Sequence, residues 1–402
     1  MYNIASPKGF SAAGAHVGIK KAKTDLTLIA SEVPAAAAAC FTKNIVKAAP
    51  VVYDERIIKN GGKVRGVVVN SGNANACTGE RGMDDARAMA SAFAGLLGAK
   101  PDEVFVCSTG VIGAPMPMEK LEAGIPRVFK MLGCSEAHGV SAVEGIMTTD
   151  TFMKTAGATV AVGGAEVKIA GMAKGSGMIH PDMATMLAFV TTDAAIAAPL
   201  LQKALFSGVE RTFNMISVDG DTSTNDTILV LANGMANNPE ICAEGPDYEA
   251  FAGALGKVCE SLAVDVARDG EGATKLFEVR LSGAATEADA RKIARAVTSS
   301  SLVKAAVFGA DANMGRALCA MGYSGGEFDP DRVSMSFSSA AGSVDWMNMG
   351  NVVPFDEALA KKVLSEKEIY MDIDLAGGEF SAKAWGCDLT YDYVKINGDY
   401  RS

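Results

Sequence analysis

The chain has 402 residues, 49% hydrophobic and 21% charged, with 47 Asp and Glu against 37 Lys and Arg and a formal net charge of -10. This composition excludes a disordered chain and supplies length for a buried core, in two or three domains at about 100–200 residues each. The acidic balance offers no electrostatic footprint for nucleic acid or an anionic membrane.

Taken from the start, Met1 to Phe10 has no basic region followed by an apolar one. No apolar run approaches the roughly 20 residues of a spanning helix, so a cytoplasmic protein is expected. Val64 to Asn70 reads as a buried strand, Met83 to Leu97 as an Ala-rich helix and Glu103 to Cys107 as a second strand. That order implies a layered α/β domain. Thr159 to Ile169 alternates around Gly163-Gly164, a hairpin signal. Met183 to Thr191 and Thr227 to Ala232 are further buried apolar runs. Thr286 with Asp289 forms a capping box before Ala290, Ile293, Ala294 and Val297, which predicts a helix. Leu302 to Phe308 is expected to follow as a strand. Ile369 to Ile373 alternates, and Leu389 to Ile396 does so weakly. A C-terminal subdomain is placed from about Leu281.

Several chemistries find no support. The eight cysteines form no CxxC pair and read as buried reduced thiols. Gly171 to Gly177 carries Lys174 before its second glycine, the wrong order for a P-loop, and no G-x-G-x-x-G follows a strand. Asp219 to Asn225 begins like an EF-hand loop but has Thr224 at position six and Val230 at position twelve, so it reads as a turn rich in side-chain-to-backbone bonds. The three histidines, His16, His138 and His180, have no metal-ligand spacing. His180 reads as a core or loop histidine bonded to backbone. Gly322-Tyr-Ser-Gly-Gly326 matches G-x-S-x-G, but a loop and no later histidine follow it. Nucleophilic catalysis here would not use histidine as its base. What remains is a density of small and hydroxylic residues at strand ends, at Ser71-Gly72, Ser108-Thr109-Gly110, Thr148 to Thr151 and Lys174 to Gly177. Backbone N–H groups beside glycines bind anions and oxyanions, so together these suggest a pocket for a small polar ligand.

Lys174-Gly-Ser-Gly-Met-Ile-His-Pro-Asp-Met-Ala-Thr-Met-Leu-Ala188 resembles the cleavage-site motif of the ornithine acetyltransferase family, also called glutamate N-acetyltransferases. The resemblance runs along the chain, through Pro7 to Phe10, Asn70 to Asn75, Ser108 to Gly113, Met147 to Thr151, Ser217 to Asp226, Arg268 to Lys275 and Tyr393 to Arg401. It implies self-cleavage between Ala184 and Thr185. Thr185 then heads a second chain, its hydroxyl the nucleophile and its own α-amine the base. A free α-amine has a pKa of about 7.7–8.0, whereas an amide nitrogen accepts no proton, so cleavage would be activation. Ping-pong transfer of acetyl from N2-acetylornithine to glutamate, in the arginine pathway, is implied, with Thr109 and Gly110 as the oxyanion hole.

The family's substrate contacts carry over to Thr151, Lys174, Thr185, Glu271, Asn397 and Ser402. Lys174 suits an α-carboxylate and Glu271 the δ-ammonium of ornithine. The glutamate side chain must be read differently, and the sequence does not say how. The implied fold is a layered α/β/β/α sandwich, α/β (α+β) in class and of the N-terminal-nucleophile type. Segment 1–184 is the α fragment, 185–280 completes the catalytic domain and 281–402 is an α/β subdomain whose tail returns to the site. Two α and two β fragments form the implied assembly. No metal and no cofactor is implied. Acetyl-CoA as a co-substrate stays open: no Arg/Lys cluster with a Gly-rich loop marks a CoA site, but a donor could enter with its nucleotide in solvent, and the single-function enzyme is the expectation.

The chain departs from the family pattern at Ala312 and Met314, where the family has Pro and Trp, and at Ser402, where it usually has Thr. The first two leave the order of the Gly309–Arg316 loop in question. Two other readings are an N-terminal-nucleophile amidase or aminopeptidase of the same fold, and a non-catalytic amino-acid-binding protein.

Overall fold

A computed structural model describes residues 2–180 and 186–399 of the chain. In order the elements are β1 (Phe10–Ala15), β2 (Leu26–Phe41), α1 (Ala49–Lys59), β3 (Val64–Asn73), α2 (Gly79–Leu97), β4 (Val104–Val111), α3 (Met118–Phe129), α4 (Glu136–Ile146), β5 (Lys154–Val162), β6 (Ala165–Lys174), β7 (Leu187–Thr192) and α5 (Ala198–Arg211). There follow β8 (Ile216–Ser217), β9 (Thr227–Ala232), α6 (Pro246–Arg268), β10 (Leu276–Ala284), α7 (Glu287–Ser299), α8 (Ser301–Gly309), α9 (Gly315–Gly322), β11 (Ser334–Ser339), β12 (Gly342–Asn348), β13 (Asn351–Val352), α10 (Glu357–Leu364), β14 (Glu368–Asp374), β15 (Phe380–Cys387) and α11 (Tyr391–Gly398). The class is mixed α/β, with two sheets. Two compact units divide the chain. Unit 1 is Met1–Gly175, Asp182–Phe213 and Thr222–Leu262; unit 2 is Ser176–Pro181, Asn214–Asp221 and Ala263–Ser402. The segment expected from about Leu281 lies inside unit 2.

In unit 1 the strand order is β4-β3-β2-β9-β7-β6-β5, with β1 also on β2. The sixteen-residue β2 links its two parts. Residues 26–30 pair with β3 and residues 36–41 with β9. The break falls at Glu32, Val33 and Pro34, all exposed. Pro34 has no N–H to give a ladder, and the register against β3 shifts there. Beyond it the edge of β2 is closed by a side chain, since the Gln202 amide accepts from Ala39 N–H and donates to Ala39 O. The expected strand, helix, strand unit is β3, α2, β4, with parallel strands. The Gly163-Gly164 hairpin also forms, joining Val162 to Ala165 with φ of +55° and +82°. Positive φ at both positions is what a two-residue hairpin turn of this kind needs. Val67, Val68, Val69, Phe93, Phe105 and Leu229 share the buried core.

In unit 2 the order is β13-β12-β11-β14-β10-β15-β8. Thr286 caps α7 by accepting from Asp289 N–H, and Ala290, Ile293, Ala294 and Val297 are its buried face, as the capping box predicts. Two expected strands are helices. Leu302 to Phe308 lies in α8, whose Ser300 N-cap accepts from Val303 N–H. A seven-residue, mostly apolar run is ambiguous by period alone, and the cap decides it. Leu389 to Ile396 falls mostly in α11, capped by Thr390, which accepts from Tyr393 N–H. The Gly309–Arg316 loop is anchored without Pro or Trp: Met314 is 2% exposed and Arg316 donates to Leu302 O at 2.9 Å. The cysteine expectation holds for Cys40, Cys107, Cys259 and Cys387; Cys77, Cys134, Cys242 and Cys319 are exposed. No helix among the described residues is long and apolar enough to cross a membrane.

Strand β4 is a sheet edge, and a buried acid covers part of it. Asp54 of α1 accepts from Val106 N–H at 2.9 Å and lies 3.7 Å from Cys107 Sγ. Burial pushes the Asp54 carboxyl well above its ordinary range, against the lowering effect of those bonds. The fold therefore favours the neutral carboxyl, a form the unfolded chain loses above about pH 3.8. The wild type pays no cost for this below about pH 3.8 and loses stability relative to a neutral isostere as pH rises above it. Urea unfolding of Asp54→Asn beside wild type at pH 4, 6 and 8 should show the variant gaining with pH. A constant difference would mean that Asp54 folds ionised.

Candidate active site

Unit 1 gathers the Thr109, Gly110, Thr151 and Lys174 segments. The parallel strands β3 and β4 end side by side, so Ser71 stands opposite Thr109 and Gly72 opposite Gly110. Gly110 has φ +131°, and a Cβ there would stand 2.3 Å from the Gly72 carbonyl carbon and 2.6 Å from Asn73 N. Only glycine fits that close approach. Side chains fix the strand ends. Ser108 Oγ donates to Asn70 Oδ1 at 2.5 Å, and Asn225 Nδ2 donates to the carbonyls of Ala74 and Ser108 at 2.6 and 2.8 Å.

Lys174 closes β6, is 8% exposed and reaches Thr109 Oγ1 at 3.4 Å. Beside it Asp150 holds three elements together. It pairs with Lys154 at 2.7 Å, both side chains fully buried, and it accepts from Gly175 N–H and Thr148 N–H at 2.8 Å each. Burial alone would raise the Asp150 carboxyl, but the Lys174 and Lys154 ammonium groups and these hydrogen bonds bring it down to about 2. Thr151, the next residue, is exposed. Asp226 is a second buried carboxyl. Burial pushes it well up despite bonds from Ser223, and among the described residues its Oδ2 has no hydrogen-bond partner.

Unit 2 holds Glu271 and Asn397. Glu271 is 8% exposed, and its N–H donates to Ser176 O at 2.8 Å. Asn397 Nδ2 donates to Glu271 Oε2 at 2.8 Å. The carboxylate rests against Gly177, where a Cβ would stand 2.2 Å from Oε2. Asp219 organises the adjoining loop, accepting from Met178, Ile179 and Asp221 N–H at 2.6, 2.9 and 3.1 Å. This is the side-chain-to-backbone turn expected over Asp219–Asn225. His180 Nδ1 meets Ser217 Oγ at 3.1 Å. Among the described residues no group of three or more His, Cys, Asp or Glu could hold a metal ion.

The structure thus joins Lys174 to Thr109 in unit 1 and Glu271 to Asn397 in unit 2. Ala184, Thr185 and Ser402 lie outside the described residues. Sequence reasoning gave Asp150, Lys154 and Asp226 no role. The four-residue spacing of Asp150 and Lys154 was no signal, because the residues between them form no helix.

The ArgJ family model matches residues 11–402. A Symbiobacterium thermophilum protein named arginine biosynthesis bifunctional protein ArgJ is 57% identical over 402 residues, covering 99% of this chain and 98% of its own. The Bacillus subtilis protein of that name is 47% identical over 400 residues, covering 100% and 97%. A crystal structure of the Bacillus halodurans protein of the same name is 45% identical with a TM-score of 0.51, matching 54% of this chain and 100% of the solved one. The chain is an acyltransferase of arginine biosynthesis. It belongs to the ArgJ family.

Replacing Asp150 by Asn would leave the fully buried Lys154 without its counter-charge. Breaking such a pair costs about 3–5 kcal/mol, which urea unfolding at pH 7 would read. A folded pKa below the ordinary 3.8 means this stabilisation is present above that value and lost as pH falls through about 2. The stabilities of wild type and Asp150→Asn should therefore converge between pH 4 and pH 2.

Proposed function

We propose that the chain cleaves itself between Ala184 and Thr185, and that Thr185 then carries acetyl from N2-acetylornithine to glutamate. The observation that carries this reading is the Lys174–Thr109–Gly110 cluster in a family member, since it supplies a cation and an anion-binding strand end without histidine. Thr185 attacks the acetyl carbonyl while its α-amine takes the hydroxyl proton. Thr109 and Gly110 stabilise the oxyanion, where losing one donor commonly costs about 2.7–4 kcal/mol. The tetrahedral intermediate expels the ornithine amine, protonated from the same ammonium, and leaves an acetyl-Thr185 ester. Glutamate attacks that ester through its neutral α-amine, the amine's proton passes by way of the Thr185 α-amine to the departing Thr185 Oγ, and glutamate leaves acetylated.

Lys174 serves the α-carboxylate common to both amino acids. Glu271, oriented by Asn397, serves the δ-ammonium of ornithine. Thr151 and Ser402 complete the substrate contacts. A length supports the cleavage: residues 185–402 would be 54% of the chain, the share that the solved Bacillus halodurans chain matches over its full extent. We propose an assembly of two α and two β fragments in the cytoplasm, with no metal or cofactor in the reaction. The word bifunctional in the relatives' names favours a second activity, against the single-function expectation. For it we propose acetyl-CoA as an alternative donor.

Intact mass of wild type beside Thr185→Ala tests the reading. Wild type should give chains of 184 and 218 residues, and the variant one of 402. Adding glutamate should then speed ornithine release from acetylornithine; a rate indifferent to glutamate would point to a hydrolase. A further variant tests Glu271. In Gly177→Ala the new Cβ displaces only the tip of a flexible side chain. Its thermal midpoint should hold while KM for acetylornithine rises about tenfold or more, the scale of a lost charged hydrogen bond. An unchanged KM would remove Glu271 from the donor site.

A further inference from the structure

Glutamate carries a side-chain carboxylate that ornithine lacks, and the contacts above give it no partner. We infer that Lys20 is the specificity-determining residue that receives this carboxylate, an inference that rests on acetyl transfer to glutamate as proposed above.

Lys20 lies in the connection between β1 and β2, whose backbone is fixed from within. The N–H groups of Val17, Gly18, Ile19 and Lys20 converge on the fully buried Asp25 carboxylate at 2.6, 3.1, 2.7 and 2.9 Å. Such a nest engages the carboxylate charge with backbone dipoles and holds the loop in one conformation. The loop lies on the strand end that carries the anion-binding glycines. Ile19 Cγ2 and Lys20 Cγ are 3.0 and 3.2 Å from the point where a Gly72 Cβ would stand. Gly72 is the register partner of Gly110. The Lys20 stem therefore lies beside Gly72, one strand away from Thr109 and Gly110.

Lys20 Nζ donates to the carbonyls of Thr24 and Met147 at 2.8 and 2.5 Å. Met147 opens the segment that leads through Asp150 to Thr151. An ammonium has three donors, and among the described residues these carbonyls take two, so one remains for a ligand.

The surrounding charges favour an anion. Lys23, Lys174, Asp25 and Asp150 are the charged groups that act on Lys20, and His16 sits on Asp25 at 3.1 Å. Both carboxylates are engaged, Asp25 by four backbone N–H groups and Asp150 by Lys154 and Gly175 N–H. Lys154 is sealed in its own pair. Lys20 and Lys174 place two ammonium groups near one strand end, where Lys174 also acts on Asp150, and this suits a ligand that carries carboxylates. Burial, then repulsion from Lys23 and Lys174, brings the Lys20 ammonium down to about 8 against the pull of Asp25 and Asp150. A carboxylate bound there would relieve that strain.

The test compares glutamate with glutamine, its neutral isostere, as acceptor for acetylornithine. Their α-amines titrate similarly, so the ratio of kcat/KM values isolates the side chain. Wild type should prefer glutamate by about tenfold or more at pH 7. That preference should fall as pH rises through about 8, because kcat/KM follows the free enzyme. Lys20→Met keeps the aliphatic stem and should bring the ratio toward one, with the larger rise in KM falling on glutamate. Lys20→Arg should restore the preference. A wild-type ratio flat from pH 7 to 9, or equal rises in both KM values in Lys20→Met, overturns the assignment and leaves Lys20 as a loop anchor. The wild-type titration needs no variant to fold. If wild type releases no ornithine from acetylornithine, the acetyl-transfer reading itself has failed.

Discussion

The Asp150 carboxylate is the charge on which unit 1 depends. Two ammonium groups, Lys154 and Lys174, approach it in a region largely closed to water, and each alone would be costly there. Around one carboxylate they become compatible. The same oxygens collect the N–H of Gly175 and of Thr148, so a single side chain ties the start of β5, the end of β6 and the segment leading to Thr151. Lys174 can then present its charge at Thr109 because its repulsion with Lys154 is already answered. Desolvation would favour a neutral acid, and the low value of Asp150 measures how far the surrounding cations prevail.

In unit 2 the corresponding device is an absence of atoms. Glu271 occupies the space that any side chain at position 177 would fill, and Asn397 from the last helix orients its carboxylate. A carboxylate so placed is held by a neutral donor. The unit 1 strand ends do the reverse, offering donors and cations.

Much of this was legible. The β3, α2, β4 succession followed from run lengths and an Ala-rich stretch, the hairpin from Gly163-Gly164, and α7 from Thr286 and Asp289, because each signal is local and cap or turn chemistry admits few conformations. Leu302 to Phe308 failed because its six apolar residues around Lys304 suit a strand or a helix equally well, and the deciding Ser300 hydroxyl lies outside the run. Thr109, Lys174 and Glu271 were singled out by an ordered set of motifs and by no local pattern. Asp150, Asp226 and Lys20 were not, since their importance comes from partners distant in sequence: Gly175 for Asp150, Met147 for Lys20, and for Asp226 a burial no local pattern announces.

The strand order of unit 1 has a consequence for any cut between residues 184 and 185. Strands β7 and β9 would belong to the second chain, yet they lie inside the sheet, with β2 on one side and β6 on the other, both from the first. Severing the peptide would leave every ladder intact, so the two products would stay interleaved. Refolding is another matter. The uncut chain finds its strands by closing a loop, whereas the cut pair must meet in solution, and recovery becomes second order in protein. One broken bond would thus turn an object that can refold alone into one that, once unfolded and diluted, has lost its way back.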